Sequence, residues 1–466
     1  MPLIRPIRKG CLLSDRKSII LLIVALLLFS LNGLCHADVL VHKDVVSDAL
    51  RHSPTLRMKI EDVKISDAQY RTSFAGLLPT INISSRAERY ENLDPRNTAT
   101  IETIGNEVVG GYQSAWRSSV NLTGQYYLSH WYKKRYETAY YKGLKDAGIH
   151  QCETEAKKII REVTDIYGAV VESKIKYDYS GRILTDLKHI LKIKKEAFGV
   201  GQYAFEDVLK VEADVTALER EIVKIKKELI DQYHRLSAYT GGSYDENVII
   251  DHLLFTGEIA PIDEKEAVAA SPEYRMRLKE MEAIRSKTIA ARNNMLPDIS
   301  VYGRYDLFNS SPDNINASLN DTRPSSYSAG VLISLPLFDG GARYWEWRKN
   351  IYEIQKQEEN IRATMEESNK NIRTIRDGYN NLARTYQHYK KLNDQYSKMI
   401  SISKKAQALG ERSHLDMLEL EKDMLAVERD MKITEQTLAV YEKQMALEMD
   451  YNKFLRDYDG NWTCSY

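Results

Sequence analysis

The sequence predicts an α+β membrane protein in which a small β-barrel continues into a long α-helical coiled coil. Three observations predict it: an internal repeat, alternating strands of about ten residues, and proline-free periodic stretches too long for an ordinary globular helix.

The repeat comes first because it organises the rest. Ser53-Pro54 recurs as Ser271-Pro272, Arg57-Met58 as Arg275-Met276, Leu78-Pro79 as Leu296-Pro297 and Ile81 as Ile299, all 218 residues on. A second block sits at an offset of 209, pairing Gly201 with Gly410, Asp207 with Asp416, Leu209 with Leu418 and Glu219-Arg220 with Glu428-Arg429. Chance agreement is common in Glu-rich helices, but two ordered blocks with matching punctuation indicate a tandem duplication. The units are 38–262 and 263–466.

Residues 1–37 read as a signal peptide. Arg5, Arg8, Lys9, Arg16 and Lys17 precede an apolar run from Ile19 to Leu31, and Cys35-His36-Ala37 offers small residues where a signal peptidase reads. The run is shorter than the roughly 20 residues needed to span a bilayer as a helix. Leu34 stands where a small residue would precede a lipidated cysteine, so Cys35 is not read as an anchor. Cys152 and Cys464, which remain, are too few and too distant for a disulfide framework or a zinc site, and are given no role.

Each unit reads helix, strand, loop, strand, long helix, turn, helix. In the first, the helices are about 42–76, 131–197 and 204–245, with strands about 79–90 and 115–128. In the second, the helices are about 263–295, 342–407 and 414–456, with strands about 297–308 and 327–338. Ile81, Ile83 and Ser85 share one strand face, with Asn82, Ser84, Arg86 and Glu88 on the other. Such alternation also suits a half-buried sheet in a soluble domain. A membrane barrel is favoured by the strand length, by Trp116, Tyr126, Tyr127, Tyr327 and Phe338 near strand ends, and by the long polar loops 91–114 and 309–326.

Four strands cannot close a barrel, so copies must associate. Three would give 12 strands around a lumen, two a filled barrel. The stripe Ile160, Val163, Tyr167, Val171 and Ile175 runs along a helix of roughly 100 Å, a length that is stable only by coiling on neighbours.

Charge excludes a nucleic-acid role, because Lys+Arg and Asp+Glu are 66 each. The ten histidines show no metal spacing, and no nucleotide loop or nucleophile motif is present, so neither enzyme activity nor a cofactor is expected.

Leu296-Pro297-Asp298 followed by Ser334-Leu335-Pro336-Leu337-Phe338-Asp339-Gly340-Gly341 resembles the second-repeat strand signature of the TolC family of outer-membrane channel proteins. Gly410 with Leu415-Asp416-Met417-Leu418 is similar to that family's helix-turn-helix pattern. The resemblance covers the mature chain in the right order. The first unit departs from it, with Leu128-Ser129-His130 in place of Asp339-Gly340-Gly341, and the short C-terminus suggests a smaller collar midway along the tunnel.

The resemblance implies a homotrimer with a 12-stranded outer-membrane barrel and a large periplasmic tunnel. The tunnel would dock onto an inner-membrane transporter through a periplasmic adaptor, in efflux or type I secretion. It also implies a gate at the tunnel tip, turned by Gly201 and Gly410, with Asp207 opposite Arg412 and with Asp416 and Glu419 lining an acidic constriction. The alternative is a secreted coiled-coil structural or adaptor protein without a pore. Extraction only by detergent would separate the two. Cargo is not readable from the residues.

Overall fold

The computed structural model describes residues 39–91, 102–104, 107–109, 115–245, 248–257, 263–311, 313–459 and 462–464. The expected signal peptide, 1–37, and most of the loop 91–114 lie outside them. The first unit contains α1 (His42–His52), α2 (Pro54–Ala75), β1 (Thr80–Tyr90), a small hairpin of β2 (Glu102–Ile104) and β3 (Glu107–Val109), β4 (Ala115–Tyr127), α3 (Lys134–Gly199) and α4 (Phe205–Thr240). The second contains α5 (Glu264–Ala270), α6 (Pro272–Asn293), β5 (Asp298–Ser311), α7 (Ile315–Asn320), β6 (Arg323–Ser334), α8 (Ala342–Ala408), α9 (His414–Met449) and α10 (Tyr451–Asp459).

Several expected boundaries are corrected. The helix placed at 42–76 breaks at Ser53, and the one at 263–295 breaks at Ser271. In both places the serine hydroxyl caps a new helix, accepting the Leu56 N–H at 3.4 Å and the Tyr274 N–H at 3.3 Å, with proline next in its preferred first position. The helix placed at 204–245 ends at Thr240, because Gly241 turns left-handed at φ 73°. The helix placed at 414–456 is interrupted at Asp450. The strand placed at 327–338 runs instead from Arg323 to Ser334, shortening the loop expected at 309–326, which also holds α7. Pro324 is tolerated because β6 pairs only with β5, across a register shift at Asp306/Leu307, so its missing N–H interrupts no interior ladder.

The sheet is antiparallel in the order β1-β4-β5-β6. Its register aligns Ile83, Leu122, Tyr305 and Tyr327 in one row, and Tyr126, Val301 and Val331 in another, on the same face. That face is exposed, Ile81 at 75%, Ile83 at 74% and Ile333 at 66%. A soluble protein would bury such a row, because each large aliphatic side chain taken from water contributes about 1.5–3 kcal/mol. The opposite face carries Asn82, Ser84, Arg86, Asn121, Thr123, Arg304 and Asp306.

Short corners, residues 128–133 and 335–341, join the sheet to the two long helices. At the entry to α3, buried Lys133 holds Asp298 of β5 at 2.8 Å, and Ser129 donates to the same carboxylate at 3.1 Å. Gly340 and Gly341 make the corresponding corner before α8 at φ 66° and 82°, a backbone that side-chain-bearing residues rarely adopt. The helices then pack across the repeat. Gly143 on α3 lies so close to Ala283 on α6 that an added Cβ would sit 2.8 Å from the alanine methyl.

Midway along α3 the chain gathers into a waist. Leu40 pairs in parallel with Ile250, and Tyr167 Oη donates between the carbonyls of Leu40 at 2.9 Å and Asp251 at 2.6 Å. His42 is buried between Tyr458 Oη and Thr164 Oγ1, each at 3.0 Å. Thr164 spends its own proton on Ile160 O at 2.7 Å, so it accepts from His42 and leaves the other ring nitrogen to accept from Tyr458. Both neutral-imidazole positions are thereby used. Burial, with Lys443 nearby, lowers the His42 pKa to about 3. Lys157 on α3 is buried with Glu448 of α9 at 2.8 Å and Glu273 of α6 at 3.2 Å, a charge cluster joining the two units. On the far side, buried Asp459 takes Arg51 at 2.9 Å and Ser47 at 3.0 Å.

The two cysteines given no role are in fact joined. Cys152 and Cys464, 312 residues apart, form a disulfide that staples the C-terminal segment onto α3. Sequence distance gave no sign of it, because the long helices return the chain to its midpoint.

Two outcomes follow for the waist. Cys464→Ser should cost about 2–4 kcal/mol of stability, and thermal melting with and without reductant should show the same loss for the wild type. Because His42 binds a proton less readily folded than unfolded, stability should fall as pH drops below about 6.5, by about 3 kcal/mol at pH 4. In denaturant titrations at pH 7 and pH 4, His42→Gln should lose correspondingly less.

Candidate functional site

The far end of the helices carries the residues expected to form a gate, and both units build it in the same way. α3 and α8 each end in a left-handed glycine, Gly201 at φ 79° and Gly410 at φ 76°. Gly201 N–H donates to Phe198 O and Gln202 N–H to Ala197 O, both at 2.9 Å. Gly410 and Glu411 repeat this with Gln407 and Ala406 at 3.0 and 2.9 Å. This paired pattern caps the last carbonyls and reverses the chain.

The returning helices start on carboxylates. Asp416 Oδ2 accepts the Ser413 N–H at 3.3 Å while Ser413 Oγ accepts the Asp416 N–H at 3.1 Å, a reciprocal box. The first unit has half of it. Asp207 accepts the Ala204 N–H at 3.3 Å, but alanine offers no acceptor in return.

The other expected roles are rearranged. Among the described residues no ion pair joins Asp207 to Arg412; Arg412 hydrogen-bonds Ser403 Oγ within its own hairpin. Glu419 is not a bare carboxylate in one chain. Lys194 of α3, 15% exposed, holds it at 3.0 Å and links the first unit to the second. Lys195–Glu212 at 3.1 Å and Lys188–Glu219 at 2.7 Å tie α3 to α4. Beneath these charges, Ile183, Leu187 and Ile190 of α3 pack with Val211 and Val215 of α4 and with Leu415 and Leu418 of α9.

Lys194 was missed by sequence reasoning. It stands in a Lys-rich helix with no local pattern marking it, and its partner lies 225 residues away. Ser413 was readable, since Ser-x-x-Asp before an apolar run is a capping signature. The tip also exposes apolar side chains, Leu409 at 75% and Val200 at 72%.

What this arrangement can do is mechanical. It has no nucleophile or general base in a cleft, and among the described residues no His/Cys/Asp/Glu cluster suits a metal ion. Two helical hairpins meet at charged tips, joined by the Lys194–Glu419 ion pair and by the apolar cluster beneath it.

A family model described as outer membrane efflux protein matches residues 265–447. Over 204 residues the chain is 21% identical to the outer membrane protein TolC of Vibrio cholerae serotype O1 (strain ATCC 39315 / El Tor Inaba N16961), covering 43% of this chain. The match spans 46% of that relative, about half its length. Among solved structures, the chain is similar to CusC, with a TM-score of 0.72 at 14% identity over 88% of this chain and 92% of that one. The Campylobacter jejuni CmeC outer membrane channel gives 0.69 at 18% identity over 91% and 87%. The outer membrane protein VceC of Vibrio cholerae gives 0.71 at 14% identity over 88% and 95%. At these identities the likeness establishes the fold.

The cap geometry predicts an asymmetric pair of mutants. Ser413→Ala should destabilise the hairpin by about 1 kcal/mol, whereas Ala204→Ser, which completes the half box, should stabilise by about 0.5–1 kcal/mol. Thermal melts of the two variants in detergent check both signs.

Proposed function

We propose that the chain is a TolC-like outer membrane efflux protein and that it serves as the outer-membrane duct of a tripartite export system. It conducts cargo passively from a periplasmic adaptor and inner-membrane transporter to the outside. One observation carries this reading: a four-stranded sheet, apolar and exposed on one face and polar on the other, leads through short corners into helical hairpins about 100 Å long.

Lipid accounts for the apolar face, and a water-filled lumen accounts for the polar one. Aromatic and aliphatic side chains exposed at the sheet–helix corner, Trp131, Leu337, Phe338 and Trp345, suit the inner membrane interface. β1 and β6 each present an unpaired edge, and a neighbouring copy's strand satisfies both when three chains close a 12-stranded ring. The exposed apolar tip fits an adaptor. Energy comes from the partner pump.

Within this duct the tip is the point of control. Lys194–Glu419 holds the two units of one chain together. Asp207 and Arg412, which form no ion pair with each other among the described residues, pair in this reading when hairpins of neighbouring copies converge around the axis. Asp416 and Glu419 set the charge at the narrowest point.

Two measurements test the reading. The purified chain should require detergent, migrate as a heat-modifiable trimer and form channels in planar bilayers; a water-soluble monomer without conductance supports the alternative of a secreted coiled-coil protein. Lys194→Ala, and Asp207→Ala combined with Arg412→Ala, should each raise conductance at least about twofold by loosening the tip. Unchanged conductance and cation selectivity in both would remove the gate assignment.

A further inference from the structure

The polar face of the sheet is positively charged at its loop end. There Arg86 of β1, Arg117 of β4 and Arg304 of β5 surround a shallow recess of about 430 Å³, completed by Asn121 and by the hydroxyls of Ser119 and Ser326. Two of the arginines have acids. Arg304 is held by Asp306 at 2.7 Å, and Arg86 lies a loose 3.8 Å from Glu88. Arg117 differs. Its guanidinium lies 3.7 Å from the centre of the Tyr90 ring, and among the described residues it makes no ion pair or hydrogen bond. Glu88 stands opposite Arg117 in the strand register, yet its carboxylate approaches Arg86 instead. Among the described residues that line the recess, three arginines against two carboxylates leave a surplus positive charge.

Stacking on Tyr90 fixes the plane of the Arg117 guanidinium while its N–H edge stays open, so little rotamer freedom is lost on binding. Hydroxyl and amide donors beside it complete a set suited to oxyanions, which guanidinium groups bind in bidentate fashion. We propose that this recess is an anion-binding site, and that in the closed ring three of them form a selectivity collar at the outer mouth for the carboxylate or phosphate groups of cargo. The proposal rests on the barrel reading, which makes this face luminal. Low-dielectric walls concentrate the field of the collar into the lumen, where anionic groups are attracted after passing the acidic tip.

The test uses the full chain in a planar bilayer of phosphatidylcholine, which has no net charge, with tripolyphosphate added on the loop side. Wild-type current should be blocked reversibly. Arg117→Gln should weaken that block about tenfold, the loss of one charge-assisted contact, and Arg117→Lys by less because charge is kept but the fork is lost. Arg86→Gln provides a second weakening variant if Arg117→Gln fails to assemble, as judged by heat-modifiable trimer migration. Equal block in wild type and variants overturns the proposal. So does block that is lost when an anionic lipid is added to the bilayer, because competing headgroups would make the recess a lipid contact. Absence of any conductance from wild-type trimers is a different failure, removing the barrel reading and the collar with it.

Discussion

A backbone N–H or C=O left unpaired in hydrocarbon costs several kcal/mol, and this sheet ends on both sides in a row of them. β1 and β6 carry such open edges, so one chain cannot lie in a bilayer by itself. In the proposed barrel, closure by copies would satisfy the edges and leave a lumen as a by-product. The apolar rows of Ile83, Leu122, Tyr305 and Tyr327 would then meet lipid, and the polar rows water. The corners at Lys133 and Gly341 are where the sheet is joined to the long helices.

The helices carry a second constraint. A helix of 66 or 67 residues exposes far more surface than one seam can bury, so it needs neighbours along its whole length. The duplication supplies them in pairs, with α3 packing against α4, α6 and α9. At the waist, four separate parts of the chain converge on α3: the first residues before α1, the linker around Ile250, α9 and the C-terminal segment. His42, Tyr167, the Lys157 cluster and the disulfide each join parts that are remote in sequence. Buried polar contacts of this kind cost desolvation and give register in return. The waist is therefore the most cross-linked part of the chain, whereas the ion pairs at the tips lie at the surface of the bundle, where each is worth little individually.

Much of this architecture was legible because it is written in local periods. Alternation of two is a property of neighbouring residues, and so are the apolar stripe of the long helices and the glycine at each reversal. Boundaries were less legible. Ser53-Pro54 and Ser271-Pro272 were seen as repeat markers but not as helix breaks, although a serine cap followed by proline is a start signal. The extent of β6 was misplaced because Pro324 excludes an interior strand but not an edge, and edge status depends on the sheet.

At the tip, the sequence marked the turn residues and the carboxylates but not their partners. Asp207 and Asp416 cap their own helices, Arg412 bonds Ser403, and Glu419 is held by Lys194. By itself the sequence determined the duplication and the strand and helix types, because these follow from short-range periodicity, and counting strands gave the expectation of self-association. Only the tertiary structure decided that Cys152 meets Cys464, that Lys194 meets Glu419 and that Arg117 stacks on Tyr90 without an ion pair among the described residues. Those pairings depend on where rigid helices and strands bring distant residues, and no local pattern encodes that distance.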